Sequence, residues 1–185
     1  RIWYGIADVA SWVVPGGAID RAARKRGQTF YGPNMRVHLH PPMLSEGAAS
    51  LLADGVARPA QLWRVDLDTV GVIQNATVRR AMVVNTEKLT YIEAQKRLDD
   101  GTASESLQLL REVGMLRERI EDERGGVSLH LPEQLIDTEG PNWRLRFRES
   151  LPVEGWNAQI SLMTGASAAE IMLQYGLGIL RTLPP

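Results

Sequence analysis

Side chains able to do chemistry are few and scattered along these 185 residues. His38 and His40 alternate, so in an extended segment both face one side and would begin a metal site. No third carboxylate or imidazole stands at ligand spacing from them. Asp99–Asp100 and Glu121–Asp122–Glu123 fall at the ends of predicted helices, where a solvated surface is the better reading. Asp8 differs, because it follows the apolar run "YGIA" and precedes "VASWV". A charge at the end of a buried strand is costly unless it is paired or functional. Capping and structural hydrogen bonding therefore stand beside a role at a site. Tyr31 lies in the irregular stretch "TFYGPN", directly after a segment carrying Arg21, Arg24, Lys25 and Arg26. An aromatic ring beside cations on a loop can stack a planar base while the cations neutralise phosphate. Ordinary packing is the competing reading. Tyr91 opens a predicted helix at "LTY" and, taken alone, reads as core. There is no P-loop, no G-x-G-x-x-G, no H-E-x-x-H, no G-x-S-x-G and no EF-hand loop.

The composition is that of an ordinary globular chain, 44% hydrophobic and 23% charged, long enough for one domain. A formal net charge of −1 argues against a strong non-specific polyanion binder. Arg79–Arg80, and Arg144, Arg146 and Arg148 alternating with Leu145 and Phe147, read as solvated faces. With no Cys, disulfides and thiolate metal sites are excluded, and a reducing cytoplasm fits. No apolar run reaches the 18 residues a membrane span needs, so no membrane partner is expected.

The elements that must position these residues follow from pattern. Ile2 to Val14 reads as a strand running into a loop, and so predicts an exposed edge at the start of the chain. Ile19 to Gly27 reads as a short helix with Asp20 in its first turn and basic residues in its last. Gln28 to Pro59 reads as irregular. Gln61–Leu67 and Val70–Val84 read as a hairpin, with Trp63, Val65 and Leu67 on its buried face. A helix is predicted over Tyr91–Asp99, capped by Thr90. A longer one is predicted from Ser104 to about Arg124, with Leu107, Leu110, Val113, Leu116 and Ile120 along one stripe. Short strands are expected at "VSLHL", "QLIDT" and "NWRLRF". A final helix is expected from Pro152 to Leu180, with a weak point at Gly165.

The order of these pieces is more specific than any one of them. "YGIADVASWVVPGGAIDRAARKRGQTFYGPNMRV" resembles the ribonuclease II/R-type exoribonucleases, within their RNB catalytic domain. The matching residues are Ile6-Ala7-Asp8, Gly16, Asp20, Ala23, Arg26, Tyr31 and Pro33, in spacing as well as type. Leu44-Ser45 and Ser50-Leu51 match the family's L-S-x-x-x-x-S-L, Arg58 falls on a family Arg, and Leu89-Thr90-Tyr91 matches L-T-Y. The correspondence runs to about residue 130. Three departures mark a divergent branch. Gly32 replaces a Leu, His38-Leu39-His40-Pro41 replaces P-M-L-P, and Ile160-Ser161 stands where better-known members carry an acidic pair.

The resemblance implies an α+β fold, a mixed or antiparallel sheet with packed helices, covering the central part of an RNB domain over residues 1–185. It implies a 3′-to-5′ exoribonuclease that hydrolyses single-stranded RNA to nucleoside monophosphates in the cytoplasm with Mg²⁺. The family's aspartates that hold the metal precede the strand that opens this chain, and its RNA-channel segment follows Pro185. The metal-binding residues are thus expected outside this chain, which alone is expected to be inactive. By position, Tyr31 would stack near the 3′-terminal nucleotides and Tyr91 would line the RNA path. Arg26 and Arg58 would be phosphate or structural partners, and Asp8 would support the catalytic centre without being a demonstrated ligand. The alternative is a non-catalytic RNA-binding or scaffold protein on a degenerate RNB fold. The oligomeric state is left open.

Overall fold

The computed structural model describes residues 1–126, 132–137 and 142–180. Its centre is a three-stranded antiparallel sheet of β1 (Ile2–Ala7), β4 (Arg58–Leu67) and β5 (Ile73–Val83), in the order β1-β4-β5. Between β1 and β4 the chain forms α1 (Ala18–Arg26) and a small ribbon of β2 (Phe30–Tyr31) and β3 (Arg36–Val37). After β5 come α2 (Tyr91–Asp99), α3 (Glu105–Glu123), a second ribbon of β6 (Glu133–Asp137) and β7 (Arg144–Arg148), and α4 (Pro152–Tyr175). This is the expected α+β architecture.

Register decides which side chains meet. Ile2 pairs with Val65 and Tyr4 with Trp63 across β1–β4, while Val65 pairs with Ala76 across β4–β5. Side chains alternate along a strand, so these positions share one face. That face packs on α3 and α4: Val65, Ile160 and Met163 are buried together, with Ile2, Tyr4, Leu67, Ile73, Leu110 and Val113 against them. Val65 and Met163 are fully buried, each worth about 1.5–3 kcal/mol of transfer free energy. A second cluster, Ala94, Leu98, Ala103, Val153 and Trp156, seals α2 and α3 onto α4.

Several boundaries differ from the sequence reading. β1 stops at Ala7 and the chain turns through a 3₁₀ segment, Val9–Ser11. The hydroxyl of Ser11 donates to the Asp8 carboxylate at 2.7 Å and folds the chain back. β5 begins at Ile73 rather than Val70, because the Asp68 carboxylate accepts from the amides of Val70 (3.0 Å) and Val72 (2.9 Å) and rounds off the turn. α4 runs through Gly165 without a break and ends at Gly176 in the left-handed conformation. The strand expected at "VSLHL" lies outside the described residues.

Candidate nucleic-acid interface

Tyr31 is placed by a local stack of hydrogen bonds. The basic last turn of α1 ends at Arg26, whose Nη1 donates to the carbonyls of His38 (2.7 Å) and Leu39 (2.9 Å). The Leu39 amide donates to the Thr29 hydroxyl at 3.1 Å. These bonds tie both ends of the β2–β3 ribbon to the end of α1. The Gly32 amide donates to the Met35 carbonyl at 2.8 Å and closes the turn around Pro33. Tyr31 pairs with Arg36 across this ribbon and its side chain is 77% exposed. Phe30 beside it is half exposed. The ring is presented to solvent rather than packed.

Tyr91 is the first residue of α2. Thr90 caps that helix: its hydroxyl accepts from the Glu93 amide at 3.2 Å, and the Glu93 carboxylate accepts from the Thr90 amide at 2.8 Å. The Thr90 amide, and after it the Thr90 hydroxyl donating to the same oxygen at 2.8 Å, hold the Glu93 carboxyl below its ordinary range. Tyr91 is 45% exposed rather than core, and its hydroxyl accepts from Asn157 Nδ2 on α4 at 3.0 Å. Sequence reasoning missed Asn157, since nothing local links it to Tyr91.

The two arginines behave differently. Arg58 grips both oxygens of Asp54 at 2.6 Å, and its side chain is only 11% exposed. This bidentate pair holds the Asp54 carboxyl far below its usual range. Arg58 thereby fastens the 51–56 loop, which supports the structural alternative for it. Arg26 uses only Nη1 in its two carbonyl bonds.

Asp8 is 3% exposed, and its Oδ2 is shared by the Ser11 hydroxyl and Arg80 Nε at 3.0 Å. The Ser11 hydroxyl, and after it Gln61 and Arg80, lower its pKa against the opposing effect of burial. Gln61 and Arg80 are cross-strand partners on β4 and β5, so the carboxylate ties all three strands at one end of the sheet. Arg79, on the opposite face of β5, stacks over the exposed ring of Trp3 with 5.8 Å to the centroid.

His38 and His40 do not converge with a third ligand. His38 Nδ1 meets the Ser45 hydroxyl at 3.2 Å, and its Nε2 lies 3.4 Å from Glu46. That order of groups is the order of a hydrolytic triad. Arg36, however, already holds the same Glu46 oxygen, and Ser45 bonds back toward the Pro41 carbonyl. The cluster is an ion-paired clasp on the β2–β3 ribbon. Among the described residues no three His, Asp or Glu side chains are grouped to hold a metal ion. The described residues therefore do not by themselves form a site for the Mg²⁺ that the resemblance implies. No helix among the described residues is long and apolar enough to cross a membrane.

A family model described as RNB domain matches residues 1–184, well past the point where the motif correspondence thins. A ribonuclease of Synechocystis is 26% identical over 181 residues, covering 97% of this chain and 27% of that protein. The exosome complex exonuclease RRP44 homolog A of Arabidopsis thaliana is 35% identical over 144 residues, covering 74% of this chain and 15% of its own length. Mycoplasma genitalium RNase R, solved in complex with double-stranded RNA, superposes with a TM-score of 0.88 at 20% identity, covering 96% of this chain and 33% of that one. Yeast Ssd1, described as a pseudonuclease, superposes at 0.71 with 19% identity, covering 94% of this chain and 22% of that one. The chain thus spans a third or less of the length of each of these proteins.

Proposed function

The chain belongs to the RNB-domain ribonuclease family, and from that premise we propose that it is the central part of a 3′-to-5′ exoribonuclease acting on single-stranded RNA in the cytoplasm. Its contribution is grip and alignment of the RNA rather than bond cleavage. Mg²⁺ and the aspartates that hold it come from residues outside these 185, and nucleoside monophosphates are the product. Asp8 supports that centre by anchoring the end of the sheet. Tyr31 and Tyr91 are the RNA-facing rings, with Arg26 as a phosphate partner.

The observation that carries this reading is the exposure of Tyr31, 77% on a ribbon stapled to a basic helix. A packed ring would have sunk into the core. A stacking ring must be presented and must be held, and here it is both. Base stacking on an aromatic side chain is worth about 1–3 kcal/mol per base. Titrating a 5′-labelled single-stranded oligoribonucleotide should therefore show Tyr31→Ala binding roughly 5- to 150-fold more weakly than wild type. Equal affinity would remove Tyr31 from the interface.

A second reading, a non-catalytic RNA-binding protein, is favoured by one observation. At the two positions where the resemblance implies an acidic pair in better-known members of the family, Ile160 is buried in the core and Ser161 meets the Tyr4 hydroxyl at 3.4 Å. The fold likeness to a pseudonuclease is in keeping with it.

A further inference from the structure

Two polar ties cross the seam between α2 and α4. The Val153 amide donates to Gln95 Oε1 at 3.0 Å, and Asn157 Nδ2 donates to Tyr91 Oη at 3.0 Å. Beneath them Ala94, Leu98, Val153 and Trp156 are buried together, so the two helices are fixed relative to each other. The Tyr91 ring is therefore held at its root by the capped start of α2 and at its tip by α4.

A phenol has one proton to give and lone pairs with which to accept. Asn157 fills an accepting position with an N–H, so the phenol proton is not spent toward α4. No acceptor among the described residues takes that proton, and the side chain stands 45% exposed. We propose that Asn157 is a positioning residue: it orients the Tyr91 hydroxyl so that its O–H points outward as a donor to a ribose or phosphate oxygen of bound single-stranded RNA. Asn157 acts through Tyr91 and does not touch the RNA itself. The inference rests on the RNA-binding reading above.

The test is a double-mutant cycle on the 185-residue chain, read as affinity for a 5′-labelled single-stranded oligoribonucleotide. Salt is set at about 0.3 M, where charges more than about 6 Å away are screened. Asn157→Asp keeps the shape but replaces the inward donor with an acceptor. The phenol proton then turns inward and the outward donor is lost. The expected result is about tenfold weaker binding, close to the loss from Tyr91→Phe. In the Tyr91→Phe background, Asn157→Asp should change affinity less than about twofold. Wild-type affinity for Asn157→Asp would mean that the phenol already donates to Asn157, and would overturn the proposal. An equal loss in both backgrounds would reduce Asn157 to a structural or charge effect and would also overturn it. Melting temperatures check the fold. Should Asn157→Asp not fold, Asn157→Leu enters the same cycle, expected to cost about threefold with Tyr91 present and nothing without its hydroxyl. If wild type binds no RNA, the RNA-binding reading itself fails and the inference falls with it.

Discussion

Asp66 accepts from Arg1 Nε at 2.7 Å and from Arg64 through Nη2 at 2.7 Å and Nε at 3.3 Å, and the hydrogen bonds from Arg1, then Arg64, bring its pKa down to about 2. Asp8, Asp20, Glu93 and Glu154 are lowered too, each by its own hydrogen bonds. A folded-state value below the unfolded one means that folding favours the carboxylate. That stabilisation is complete above the unfolded value, near 4, and is lost as pH falls through the folded value. The melting temperature is therefore expected to stay flat from about pH 7 to 5 and to drop between about 4 and 2. Asp66→Asn should lower it at pH 7 and flatten the acid limb, as circular dichroism melts across pH would read. A limb as steep in the variant as in wild type would remove Asp66 from the titration. At this scale the sequence was half informative. The apolar run before Asp8 signals that the charge must be satisfied. The partners Gln61 and Arg80 arrive from β4 and β5 through a register that no local pattern encodes. Tyr91 looked like core by itself, and its partner Asn157 lies on a helix packed much later in the chain.

Among elements, the tightest joint is where α3 crosses α4. A Cβ on Gly114 would overlap the Cβ and Cγ of Trp156 and lie 2.7 Å from its Cα. At an open helix position Gly→Ala gains about 1 kcal/mol. Here overpacking costs about 1–3 kcal/mol and the obstacle includes backbone, so the sign should reverse. Gly114→Ala is expected to destabilise by about 2 kcal/mol. Gly165→Ala on α4, with nothing within 4 Å of the added carbon, should stabilise by up to about 1 kcal/mol. Urea midpoints of the two variants check this, and a gain at both would mean that the helices are not in contact at Gly114. Elements whose signals are local were legible. α2 spans Tyr91–Asp99, as its Thr90 cap and terminal Asp-Asp-Gly require, and α3 follows its apolar stripe. The short β2–β3 ribbon was not legible, because two-residue strands held by Arg26 and Thr29 leave no periodicity to read.

For the whole molecule, the buried side of the sheet and the exposed rings imply a division of labour. α3 and α4 cover one face of β1-β4-β5 and give the rigid frame. α1 and the β2–β3 ribbon present Tyr31, and the α2–α4 seam presents Tyr91. The sheet order places β4 between β1 and β5, a long-range pairing that hydrophobic alternation alone could not specify. The family motifs carried that information instead, which is why the fold class was legible while the contacts of the site were not. In the proposed reading the frame grips RNA, while the described residues bring together no carboxylate cluster able to hold the metal that hydrolysis needs. One measurement tests this division most directly: incubation of the purified 185-residue chain with 5′-labelled single-stranded RNA and Mg²⁺, with the products resolved to single-nucleotide steps. The account predicts that the RNA stays at full length even at protein concentrations that bind it. Stepwise shortening from the 3′ end by the chain alone would contradict it, and would place a complete hydrolytic centre within these residues.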